Sequence, residues 1–164
     1  MTDTEGGSVQ LLDAGGPFEA VLPGFAPREE QLQLAQAIEM AISAGGTLVA
    51  EAGTGIGKTL SYLVPVLEGG QRAIISTGTK NLQDQLYFRD LPIVKKALGS
   101  TLKTALLKGR GNYLCLYRME QARTEGRLPT RDAVSELEDI RQWAPRTTDG
   151  DLSVSSVIAE DSEL

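Results

Sequence analysis

The chain's 164 residues suffice for one compact domain with a real core, and 41% hydrophobic and 23% charged residues are ordinary for a globular protein. The absence of histidine excludes Ser-His-Asp triads, HExxH zinc sites and Cys-His nucleophile pairs, and the single cysteine, Cys115, excludes an intrachain disulfide, a CxxC pair or a four-cysteine metal site made by this chain alone. The net charge of −6 hides a basic middle: residues 71–127 carry eleven Lys/Arg against four acids, whereas 149–164 carry five acids and no base. Such a distribution permits a polyanionic partner, although a solvated mixed-charge surface is its commoner cause.

Residues 1–25 hold three Gly/Pro clusters and little periodicity, which predicts a flexible N-terminal arm. Their start, MTDTEGGSVQ, is acidic and polar, unlike a signal peptide, and no apolar run approaches the roughly 18 residues of a membrane helix. A cytoplasmic location is therefore expected. From Pro27, PREEQLQLAQAIEMAISAGG opens on proline and acids, carries Leu32, Ala35, Ile38 and Ile42 at helical spacing, and stops at a Gly pair. That is an amphipathic helix with start and stop signals.

The short apolar run TLVAE (47–51) feeds directly into glycines and predicts a buried parallel strand; a helix follows over about 57–68. RAIIS (72–76) reads as a second strand, 81–98 as a helix with a bend or break before Pro92, and TALL (104–107) as a third strand. This order predicts an α/β fold: a parallel sheet of P-loop type with flanking helices, incomplete within these residues. Residues 112–124 and 131–143 read as helices, followed by a polar, acidic end. The expected domains are the arm at 1–25, a nucleotide-binding unit at 26–110 and a helical segment at 111–164.

AGTGIGKT (52–59) follows GxxxxGK[ST] with Ala52 at the first position. Gly53, Gly55 and Gly57 allow backbone N–H groups, including those of Thr54 and Ile56, to turn around phosphate oxygens, and the helix behind them directs its positive end at the same anion. Lys58 would reach the β/γ-phosphates of ATP, and Thr59 would offer its hydroxyl to Mg²⁺. The plain alternative is a Gly-rich strand-to-helix turn with an incidental lysine, against which strand, loop and helix fall in the required order. Hydrolysis also needs a carboxylate for Mg²⁺, and the later candidate, VIAED (157–161), is short and reads as a polar tail.

Four stretches in order, PREEQ, EAGTGIGKT, STGTKNLQDQL and LLKGRGNYLC, together resemble the DinG-type branch of superfamily-two DNA helicases, YoaA-like members in particular, which are relatives of the XPD-like iron–sulfur helicases. The resemblance spans about 25–123. It implies a RecA-like P-loop fold over 26–110 and an ATP-dependent 5′-to-3′ helicase acting on single-stranded DNA, with replication or repair proteins as possible partners. Arg28 and Gln31 match an RxxQ element that contacts adenine; by themselves they read as solvent-facing residues of a first helical turn. Thr77, Thr79, Lys80 and Asn81 match a motif that binds the DNA backbone, although a helix cap would also use Thr79 and Asn81.

Cys115 resembles the first of four cysteines holding a [4Fe–4S] cluster, so 111–164 would begin that cluster's insertion. A lone cysteine is otherwise a buried inert thiol, and this chain lacks the other three ligands. Ile56 departs from the usual Thr or Ser. The Walker B box, the second RecA-like domain and its arginine finger have no counterpart here, so the chain is expected to be an N-terminal portion of a longer helicase with weak or no turnover of its own. The competing readings are a small P-loop kinase acting on a metabolite and a non-catalytic nucleotide-binding module. An incomplete sheet would leave an unpaired edge and apolar faces.

Overall fold

A computed structural model describes residues 7–126, 128 and 130–154. The chain divides into two compact units, 1–106 and 107–164. In the first, α1 (Ser8–Leu12), α2 (Phe18–Val21), α3 (Glu29–Ala44), α4 (Lys58–Glu68), α5 (Lys80–Gln85) and α6 (Leu91–Leu98) succeed one another along the chain.

α3 begins where Arg28 is still extended and carries Glu29 and Glu30 in its first turn, where the helix dipole favours negative charge. It ends at Gly45, whose φ of 62° lets the Gly46 amide return to the Ala41 carbonyl at 2.9 Å, a turn that side chains with a Cβ enter at a cost. α4 packs against α1, α3 and α6, and α2 packs on α6. The resulting core is Leu12, Phe18, Ala35, Leu63, Val64, Leu67 and Val94.

Residues 7–25 therefore differ from the expected arm. Leu12 and Phe18 are wholly buried, the Phe18 ring lies 5.5 Å from that of Phe25, and the Ser8 amide donates to Glu39 Oε2 at 2.9 Å. The reason is apolar area: burying one Phe stabilises the fold by about 1.5–3 kcal/mol, enough to hold helices of five and four residues that would not persist alone.

The bend expected before Pro92 is a π-turn, Leu86–Asp90, joining α5 to α6. Proline has no N–H to give the Phe88 carbonyl, and the widened turn instead runs the Leu91 amide back to the Leu86 carbonyl.

The three expected strands are not seen as a sheet. Among the described residues, 47–51, 72–76 and 104–107 are non-helical but join no ladder, and the isolated bridge is antiparallel, between Tyr113 and Asp151. Val49 is 93% exposed and Ile74 99%. An apolar run marks strand-forming capacity, but a ladder needs a neighbouring backbone to take its hydrogen bonds.

The second unit contains α7 (Leu116–Glu125) and α8 (Arg131–Trp143), which pack together. Thr130 caps α8 by accepting the Ala133 amide at 3.1 Å, and Leu137 and Ile140 are its buried apolar residues. The flanks of the helix pair meet: the Leu114 amide donates to the Gly150 carbonyl at 2.8 Å beside the Tyr113–Asp151 bridge. The two compact units part between residues 106 and 107. VIAED lies outside the described residues.

Candidate nucleotide site

The loop at 52–57 owes its shape to two glycines in left-handed conformation, Gly55 at φ 83° and Gly57 at φ 87°. Gly57 is the N-cap of α4, so the loop delivers the chain directly to a helix N-terminus. The positive φ of Gly57 favours glycine there, and a Cβ would lie 2.2 Å from Gln31 Nε2, so a side chain would also displace the Gln31 amide.

Arg28 and Gln31, at the start of α3, are brought against this loop. The Arg28 guanidinium donates to the Gly55 carbonyl, and Gln31 Nε2 donates to the Gly57 carbonyl at 3.2 Å. Gln31 is buried rather than solvent-facing, with 3% exposure. Lys58 folds back over the loop, Nζ donating to the carbonyls of Ala52 at 2.8 Å and Gly53 at 2.6 Å. Its ammonium thus already stands over the turn that the glycines form.

Two contributors had little sequence signal. Ser61 is fully buried, with its hydroxyl 3.1 Å from the Gln31 carbonyl and 3.4 Å from that of Gly57. Its position one turn after Gly57, amid the apolar run LSYLV, was the available clue. Tyr62 lines the groove beside Thr59. Burial pushes the Tyr62 phenol upward, the neighbouring Thr59 side chain opposes this, and the negative charge of Asp90 adds to the rise.

An open groove of about 840 Å³ runs from Lys58, Thr59 and Tyr62 along α3. Apart from that end its walls are largely apolar, with Ile38, Ile42 and Leu48 among them, so the groove's cationic and hydroxyl groups are gathered at the loop.

The other sequence-predicted residues stand apart from this cluster in their contacts. Thr79 Oγ1 accepts the Leu82 amide at 3.2 Å as N-cap of α5, and Thr77 Oγ1 lies 3.2 Å from the Thr79 carbonyl. Lys80 and Asn81 open the helix behind that cap. Cys115 belongs to the second unit, where it is exposed and caps α7, unlike a buried inert thiol.

The family model for DEAD/DEAH box helicases matches residues 31–115. The chain belongs to the DEAD/DEAH box helicase family. That family's fold is the P-loop NTPase fold, and its sheet is not formed among the described residues. The chain is 48% identical over 162 residues to the ATP-dependent DNA helicase YoaA of Haemophilus influenzae, covering 99% of this chain and 25% of that protein. It is 53% identical over 149 residues to YoaA of Escherichia coli, covering 90% and 23%. It is 34% identical over 151 residues to the 3′-5′ exonuclease DinG of Bacillus subtilis, covering 88% and 16%. The expected likeness to DinG-type and YoaA-like helicases is thus borne out. The chain spans about a quarter of the length of the YoaA relatives. No solved structure matches it. No described helix is long and apolar enough to cross a membrane.

Proposed function

We propose that this chain is the ATP-gripping part of a DNA helicase that couples ATP hydrolysis to 5′-to-3′ movement along single-stranded DNA and to duplex unwinding. The observation that carries the reading is the engagement of Arg28 and Gln31 with the carbonyls of Gly55 and Gly57, which ties the helix proposed to read adenine to the loop proposed to hold phosphate.

In this reading the loop amides and the N-terminus of α4 bind the phosphate chain, and Lys58 exchanges its contacts with the Ala52 and Gly53 carbonyls for phosphate oxygens. Thr59 would offer its hydroxyl to Mg²⁺. A hydroxyl at the head of a phosphate-binding helix suits Mg²⁺, which prefers few protein oxygens alongside those of the phosphates. Thr77, Thr79, Lys80 and Asn81 form the DNA-backbone contact, with Lys80 as its cation.

Cys115 is proposed as one [4Fe–4S] ligand of the longer protein. Its exposed thiol suits that role, but one thiol cannot hold the cluster, and among the described residues no group of three metal-ligating side chains occurs. With no carboxylate assigned for Mg²⁺, these 164 residues bind ATP with little or no turnover.

The test is a pair of titrations on this chain. A fluorescent ATP analogue binds the wild type, and Lys58→Ala weakens it by about tenfold or more, the loss of roughly 1.4 kcal/mol or more of phosphate contact. A labelled oligothymidylate binds at low salt with an affinity that falls as salt rises, and Lys80→Ala lowers it while making the salt slope shallower by about 0.7. Nucleotide binding indifferent to Lys58, or DNA binding indifferent to salt, would sink the corresponding half of the reading.

A further inference from the structure

We infer that Lys108, Asp151 and Ser153 form a clasp that closes the base of the α7–α8 excursion and fixes the backbone from which Cys115 projects. Lys108 Nζ lies 2.8 Å from Asp151 Oδ2, with the two side chains 3% and 9% exposed. Nζ also donates to Ser153 Oγ at 2.8 Å, and Ser153 gives both its amide (2.9 Å) and its hydroxyl (2.7 Å) to Asp151 Oδ1. Each charged group thus has a charged partner and a hydrogen-bonded neutral one, the arrangement that makes a sheltered ion pair tenable.

The pair's position in the chain makes it a clasp. Lys108 lies before the excursion and Asp151 after it, and the same two flanks are joined by the Tyr113–Asp151 bridge and the Leu114–Gly150 hydrogen bond. The first flank is braced internally, since the Lys108 amide donates to the Tyr113 hydroxyl at 2.9 Å. The second is braced by Thr147 and Asp149, whose side-chain oxygens take the amides of Gly150 and Asp151 at 2.9 and 3.1 Å. Cys115 follows Leu114 directly, and its carbonyl accepts the Met119 amide at 3.0 Å as α7 starts. Its backbone is therefore held on one side by the clasp and on the other by the helix, while its thiol faces solvent. The inference concerns how Cys115 is positioned and stands whichever group that thiol serves.

Amide hydrogen exchange and a nitroxide attached to Cys115, the sole cysteine, test this on the 164-residue chain. Asp151→Asn and Lys108→Met each speed exchange of the Leu114 amide by about tenfold or more and sharpen the nitroxide spectrum toward free motion, with α8 amides changing far less. Ser153→Ala, a milder change, shows the same local pattern at smaller amplitude. The apolar replacement Lys108→Met with Asp151→Leu recovers part of the protection, because neither charge is left without the other. Leu114 exchange and label motion unchanged in both single variants overturn the clasp. So does an equal rise across 107–154, which would make the pair a general stabiliser of the unit, and so does a double variant worse than the sum of the singles.

Discussion

The two units are held by different forces. The first has seven buried apolar side chains drawn from five helices and uses its polar groups chiefly to shape a loop. The second buries Leu137 and Ile140 and adds a sheltered ion pair with its hydrogen-bonded serine. Apolar burial is non-directional and indifferent to protonation, whereas an ion pair needs both its geometry and its charge state. The loop at 52–57 thus stands on a support insensitive to acid, and Cys115 on one that acid can release.

This contrast can be broken from either side. The largest expected effect is Phe18→Ala, which removes a wholly buried ring and costs the first unit about 3–5 kcal/mol; urea denaturation followed by hydrogen exchange shows the loss in 7–106 and leaves 107–154 near wild type. Equal loss in both units would show that they share one cooperative core.

Next is acid. Burial acts to raise the Asp151 carboxyl, but hydrogen bonds from Lys108 and Ser153 and the Lys108 charge outweigh it, leaving Asp151 below the ordinary carboxylate range. A depressed carboxyl gives its stabilisation in full above the unfolded-state value and loses it as pH falls through the lower folded-state value. Protection of the Leu114 amide therefore falls on acidification, and Asp151→Asn removes that pH dependence.

Gly57→Ala forces a side chain into left-handed backbone and against Gln31, costing about 1–2 kcal/mol at the loop. ATP-analogue affinity drops while the α6 amides remain protected. Thr130→Ala has the smallest effect, about 1 kcal/mol from the lost cap of α8, read as a shift in the melting of the second unit alone.

Local signals were legible and distant pairings were not. The acids opening α3, the Gly pair after it, the Gly55–Gly57 turn into α4 and Pro92 all act within a turn of where they stand, and each marks the expected element or break. α1 and α2 are too short to display a helical period, so residues 1–25 read as a flexible arm and the burial of Leu12 and Phe18 left no local signal. The strand reading rested on apolar runs alone and said nothing of which backbone would pair with them. Within the site, the family resemblance singled out Arg28 and Gln31, which by themselves read as solvent-facing, and their contact with the loop carbonyls is set by the packing of α3 on α4. Charge counting misled most at Lys108 and Asp151, tallied as part of a basic middle and an acidic end although they neutralise each other.

Gln31 reaching across to Gly57, with Ser61 seated between their carbonyls, makes α3 and the loop one mechanical piece. Coupling of that kind is reciprocal: whatever stiffens the loop must stiffen the first turn of α3, and whatever engages that turn must change the loop's affinity by the same factor. A bare triphosphate should therefore protect the Gln31 amide without touching it, and a purine lacking phosphates should quiet the loop from the other end.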